Sequence, residues 1–164
     1  MKNSTLIYGI FGGVSVIAYF LAFYFISTTW MFHPLVNWGS LLVYLVFMTL
    51  AGREDRRSYE GAYPFKNALR TIFGTFAIIS VMYYMFNYFL FKFDPTLLIT
   101  QKEVVIQNME WLSQKAGMEF SEEEIHALRK EYRPITIMNS LFGLAQSLIG
   151  GFILSLPVAA IVRR

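Results

Sequence analysis

Apolar residues run from Leu6 to Ser27 without a charged side chain among them. A helix needs roughly 20 such residues to cross the hydrocarbon of a bilayer, so this run predicts a transmembrane helix over 6–27. It exceeds the ~7–15-residue apolar core of a cleaved leader, and no A-x-A-like site follows, so it is read as retained. Residues 28–38 break the pattern. Pro34 opposes a continuous helix there, and Trp30 and Trp38 suit the membrane–water boundary. A second, shorter span is predicted over 35–51 and a third over 66–91, with the polar stretch 51–66 between them as a loop. The third span opens amphipathically, with Lys66 and Arg70 able to snorkel to the head groups, and Tyr83, Tyr84 and Tyr88 crowd its far end as an aromatic belt. A fourth span, 135–161, precedes Arg163 and Arg164.

Between the third and fourth spans the pattern becomes amphipathic. Asp94 before Pro95 predicts an N-cap with proline at the first helical position. Leu98, Val105, Met109, Leu112 and Ala116 then recur at helical spacing up to Gly117, a natural stop. A second start follows: Ser121 with Glu124 forms a capping box, Phe120 with Ile125 a hydrophobic staple, and Ile125, Leu128 and Tyr132 line one face. The expected fold is an all-α membrane protein, one membrane domain over 1–164. It has four transmembrane helices and an extracytoplasmic helical hairpin, 93–133, between helices 3 and 4.

Composition agrees with this pattern. Hydrophobic residues make up 55% of the chain and charged residues 15%, against about 25% charged in ordinary globular domains. The net charge is only +3, so its distribution matters more than its sum. Four spans put both termini and the 51–66 stretch on one side. That side carries Lys2, Arg53, Arg56, Arg57, Lys66, Arg70, Arg163 and Arg164 against Glu54, Asp55 and Glu60. The tryptophan-bearing turn has no Lys or Arg. Orientation follows the cations of short loops, so 51–66 is expected to be cytoplasmic, as are both termini. Arg53, Arg56, Arg57 and Lys66 serve mainly as that topology signal. Their alternative role is contact with anionic membrane lipid, weakened by the interspersed acids.

Close packing in lipid relies on small residues. Gly143, Ser147, Gly151, Ser155 and Ala159 form a row at intervals of four on the fourth span, extended by Asn139, and Gly9 and Gly13 form a G-x-x-x-G on the first. Such rows let neighbouring helices approach closely, within one bundle or across a homodimer seam. Asn87, Asn139 and Gln146 are expected to hydrogen-bond between helices.

Chemistry is sparse. Without cysteine there are no disulfides, thiolate nucleophiles or Cys-based metal sites. His33 lies in the outer turn, and His126 shares a helix face with Glu122 and Glu123, a solvated charge face rather than a metal site. No phosphate-cradling loop, nucleophile elbow, zinc-protease or dinucleotide motif is present. Neither catalysis nor any cofactor, metal or nucleic-acid partner is expected. The expected function is a non-enzymatic interaction or structural component of a cell envelope, its partner a second copy or an envelope protein reached through 93–133. The alternative is a small channel or transporter formed by oligomerisation.

Three segments carry a family resemblance. Residues 59–78 ("YEGAYPFKNALRTIFGTFAI") form a polar, glycine-bearing loop that leads into an amphipathic helix start. Residues 87–98 ("NYFLFKFDPTLL") form an aromatic exit into an Asp-Pro helix start, and "IVRR" ends a glycine-bearing final span. Together they resemble the bacterial family of small four-span proteins known as domain of unknown function 4199. That resemblance implies a bacterial inner-membrane location and brings no activity and no site residues.

Overall fold

The computed structural model describes residues 3–116 and 136–163. These fold into α1 (Asn3–Ile26), α2 (Thr28–Met31), α3 (Pro34–Arg57), α4 (Phe65–Phe93), α5 (Thr96–Ala116) and α6 (Ile137–Val162). The expected second helix of the hairpin, with its Ser121–Glu124 cap and the His126 face, lies outside the described residues. Four helices, α1, α3, α4 and α6, are long and apolar enough to cross a membrane. The shortest have 24 residues, about 36 Å at 1.5 Å per residue. The chain is a multi-pass membrane protein by this measure. Its exterior agrees, since Trp38, Leu42, Phe142 and Ile149 are each at least 65% exposed, an arrangement that lipid tolerates and water does not.

α4 is the hub. It packs against α1, α3 and α6, while α1 and α6 do not touch each other. Its buried face reads Ala68, Thr71, Ile72, Thr75, Phe76, Ile79 and Ser80, mixing bulky and small side chains. The helices around it are notched where the bulky ones arrive. A Cβ at Gly12 of α1 would lie 2.6 Å from Ile79 Cδ1, and one at Gly9 would lie 2.8 Å from Ile78 Cβ. The core that results is solid at mid-bundle, where Val16, Tyr44, Met48, Phe76 and Ile79 are all buried.

The reversal from α1 to α3 is built from local caps. Ser27 is extended and opens α2. His33 then caps α3, its Nδ1 accepting from the Leu35 amide at 3.3 Å, with Pro34 at the first helical position. The imidazole that sequence placed in a turn thus satisfies one of the helix's orphan amides. Tyr19 ties the two helices by donating to the Val36 carbonyl at 3.1 Å.

At the same end Asp94 joins three helices. It closes α4, and its Oδ1 accepts from the Thr96 amide at 3.1 Å and from the Thr96 hydroxyl at 2.5 Å; Oδ2 accepts from Tyr24 on α1 at 3.0 Å. Regular helix begins at Thr96, one residue later than the Asp-Pro pattern suggests. The Thr96 bond above all, and then Tyr24, hold Asp94 below the usual carboxylate range. A depressed native pKa means that this contribution is present at neutral pH and lost as pH falls through about 4 and below. Asp94→Ala is therefore expected to speed amide exchange at residues 96–99 at pH 7, and the native chain to show the same loosening only in acid.

α5 lies against α2 and α4 with Leu97 and Val104 buried. The predicted stripe ran one position later. Leu98 and Met109 are half-buried and Val105 is 43% exposed. Apolar spacing alone does not say which edge of a wide stripe docks on α2 and α4.

Candidate functional site

α3 passes beyond the expected end at residue 51 and continues to Arg57, so Arg53, Arg56 and Arg57 stand on its last turns rather than on a loop. Two causes are visible. Arg and Glu are good helix formers, and Gly52 lets α3 press close, since a Cβ there would lie 3.0 Å from both Ile72 and Val162. The extension carries Asp55 inward, where it is 3% exposed.

A buried carboxylate is costly unless it is hydrogen-bonded. Asp55 Oδ2 accepts from the Tyr63 hydroxyl at 2.5 Å and from Thr71 Oγ1 at 2.7 Å. Tyr63 belongs to the connection before α4 and Thr71 to α4 itself, so one side chain of α3 fastens both. Burial, and then the bond to Asp55, push the Tyr63 phenol well above its usual range, keeping it a neutral donor at ordinary pH. Beside it Asn67 Nδ2 donates to the Tyr59 hydroxyl at 2.8 Å, and the Tyr59 and Tyr63 rings sit 4.9 Å apart. What this arrangement can do is hold: it locks a short polar connection onto the bundle.

Two clefts flank the cluster. One, of about 730 Å³, is lined by Thr5, Tyr59, Asn67, Arg70, Thr71, Phe73 and Gly74. The other, of about 490 Å³, is lined by Asn3, Ser4, Ile7, Tyr8, Glu54, Asp55 and Ser58. A smaller pocket of about 180 Å³ lies at the opposite end, where Asn37, Tyr83, Asn87 and Gln101 meet Phe20, Met31, Phe32 and Val105. Asn87, expected to bond between helices, has its Oδ1 buried there without a hydrogen-bond partner among the described residues. The pocket is roomy enough for water, which would satisfy it.

The four cations singled out by sequence are used differently. Arg56 Nη1 donates to the Val162 carbonyl at 3.1 Å, where a cation opposes the negative end of α6. Arg57 pairs with Glu54 at 3.0 Å, both exposed. Arg53 and Lys66 are exposed. Arg70, set aside by sequence as a snorkelling residue, is the cation that lines the larger cleft.

The small-residue rows both face α4. Gly9 and Gly13 take Ile78 and Met82; Gly143 and Gly151 take Tyr84 and Phe76. Ser155 is fully buried, its hydroxyl donating to the Gly151 carbonyl at 2.6 Å, and Ser147 is half-buried. The notches thus receive large side chains rather than a second backbone. Gln146, expected to bond between helices, is exposed on the far side of α6.

Sequence reasoning passed over Asp55, counting it as one acid in a loop. A signal was present. Ser40, Tyr44, Met48 and Gly52 step by four along α3, and Asp55 follows three later, on the same buried stripe.

The family model described as Protein of unknown function (DUF4199) matches residues 7–164. No curated protein and no solved structure matches the chain.

Proposed function

The chain belongs to that family of unknown function, and we propose that it is a non-enzymatic interaction component of a cell envelope, working through contacts made by α5. One observation carries this reading. The four spanning helices close on a solid centre, while α5 lies outside them and keeps Ile99 and Trp111 exposed at 58% and 59%. Ile99, Glu103 and Glu110 fall on one side of α5 at about 100° per residue, a mix of apolar and charged side chains of the kind protein partners use.

The cation-rich end is the cytoplasmic end in this reading, which puts both termini inside and α5 outside a bacterial inner membrane. Membrane lipid is the other partner, and Arg70 beside Phe73 and Gly74 offers a head group a cation next to an apolar wall. A conducting assembly would have to place its pore between copies, because Tyr44, Met48, Phe76 and Ile79 fill the middle of one.

The experiment is photo-crosslinking in intact cells from a photoreactive residue placed at Trp111, with a second at Leu42 on the lipid-facing side of α3. A discrete protein adduct from position 111 and none from 42 is the expected result. No adduct from 111, together with ion flux through purified protein in liposomes, would replace this reading with the channel.

A further inference from the structure

The lipid-facing side of α6 carries an amide where hydrocarbon lies. Gln146 is exposed and makes no hydrogen bond among the described residues. It stands about 14 Å from the start of α6, at 1.5 Å per residue, about a third of the way along a span that runs from Ile137 to Val162. Phe142, Ile149 and Ile153 share its face and are 73%, 67% and 62% exposed. Their steps of three and four residues are those of a coiled-coil seam, and Asn139, Gln146 and Ile153 repeat at seven. Gly151 and Ser155, the residues that meet α4, lie on the opposite side at about 100° per residue. One turn beyond Gln146, Gly150 has nothing within 4 Å of where a Cβ would be.

Lipid tails cannot satisfy an amide, which both donates and accepts. A second copy can. Copies inserted in the same orientation bring their Gln146 side chains to the same depth, and across a two-fold axis an amide is its own complement. Gly150 removes the side chain that would hold the two helices apart. α6 is also placed for it: among the described residues it packs on α4 and α3, and Phe142, Ile149 and Ile153 stay exposed.

We propose that the protein forms a parallel homodimer in the membrane through the Phe142–Gln146–Ile149–Ile153 face of α6, with the Gln146 amides hydrogen-bonded across the axis. This goes beyond the role given to α5 and stands without it. It also separates the dimer seam from the Gly143–Ser155 row, which the chain's own α4 already occupies.

The chain has no cysteine, so single cysteines report cleanly. In native membranes under mild oxidation, Ile149→Cys is expected to give a disulfide-linked dimer. Phe11→Cys, on the 63% exposed face of α1, is expected to stay monomeric. In reconstituted bilayers Gln146→Leu is expected to weaken dimerisation, followed by energy transfer between labelled copies, about 3- to 30-fold. Gln146→Asn should restore part of it. Because Gln146 is exposed and hydrogen-bonds to no other helix among the described residues, the melting temperature of the detergent-purified monomer should not fall in Gln146→Leu. The proposal is overturned if Ile149→Cys does not cross-link, if it joins a different protein, if Phe11→Cys cross-links as readily, or if Gln146→Leu leaves the association unchanged.

Discussion

Gly151→Leu is expected to separate α6 from α4 and leave a chain that aggregates or is degraded on expression. The Phe76 ring lies directly over the Gly151 Cα, and both it and Gly151 are buried. Overpacking a filled site costs about 1–3 kcal/mol even where side chains can shift. Here the added atoms meet a ring wedged between helices. Even Gly151→Ala is expected to destabilise, although alanine in place of glycine elsewhere in a helix stabilises by roughly 0.5–1 kcal/mol. Gly150→Ala is the control. Its Cβ enters open space, and the melting temperature of the monomer in detergent should hold or rise. Phe76→Ala alone leaves a void worth about 3–5 kcal/mol. Combined with Gly151→Leu it should cost less than the two changes added together, because leucine occupies part of the emptied volume. Strict additivity in that cycle would mean that the two residues do not share a site.

The second large effect concerns Asp55. Asp55→Ala strands the hydroxyls of Tyr63 and Thr71, both buried, and each unsatisfied buried donor costs about 1–3 kcal/mol. The loss should be local first. Hydrogen exchange is expected to rise across residues 58–66 while α1 and the middle of α4 keep their protection, and the melting temperature should fall. Asp55→Asn keeps one acceptor oxygen in place for both donors and is expected to retain a large part of the protection. If exchange across 58–66 does not change in Asp55→Ala, the carboxylate does not fasten that connection.

These two sites differ in how far they could be seen in the sequence. The spanning helices were visible because roughly 20 apolar residues in a row have few other uses; each of α1, α3, α4 and α6 covers most of one predicted run. Their ends were less visible. Hydropathy falls at Gly52, yet the hydrogen-bond ladder of α3 continues to Arg57, because backbone bonding does not depend on whether a side chain is apolar. Asp55 was lost with that boundary. Read as a loop residue it had no face; read as helix it continues the stripe of Met48 and Gly52. The glycine rows were visible as rows, but a row of notches does not name what fills it. Only the fold sets Ile78, Met82 and Phe76 of α4 opposite Gly9, Gly13 and Gly151. Gly12, outside both rows, receives Ile79 and Phe47. It went unseen because it lies off the steps of four that mark the rows, although it sits on the buried stripe of Thr5, Gly9, Val16 and Phe20. His33 was legible as a boundary residue, whereas its capping of Leu35 needed the backbone geometry.

Everything rests on four crossings that leave the 58–64 connection on one side of the membrane and α5 on the other. Single cysteines at Ser58 and Gln107, both exposed, test this in intact cells with a thiol reagent that does not enter them. Gln107→Cys is predicted to be labelled at once, and Ser58→Cys only after the membrane is opened. Labelling of both positions from outside, or of neither, would contradict the account.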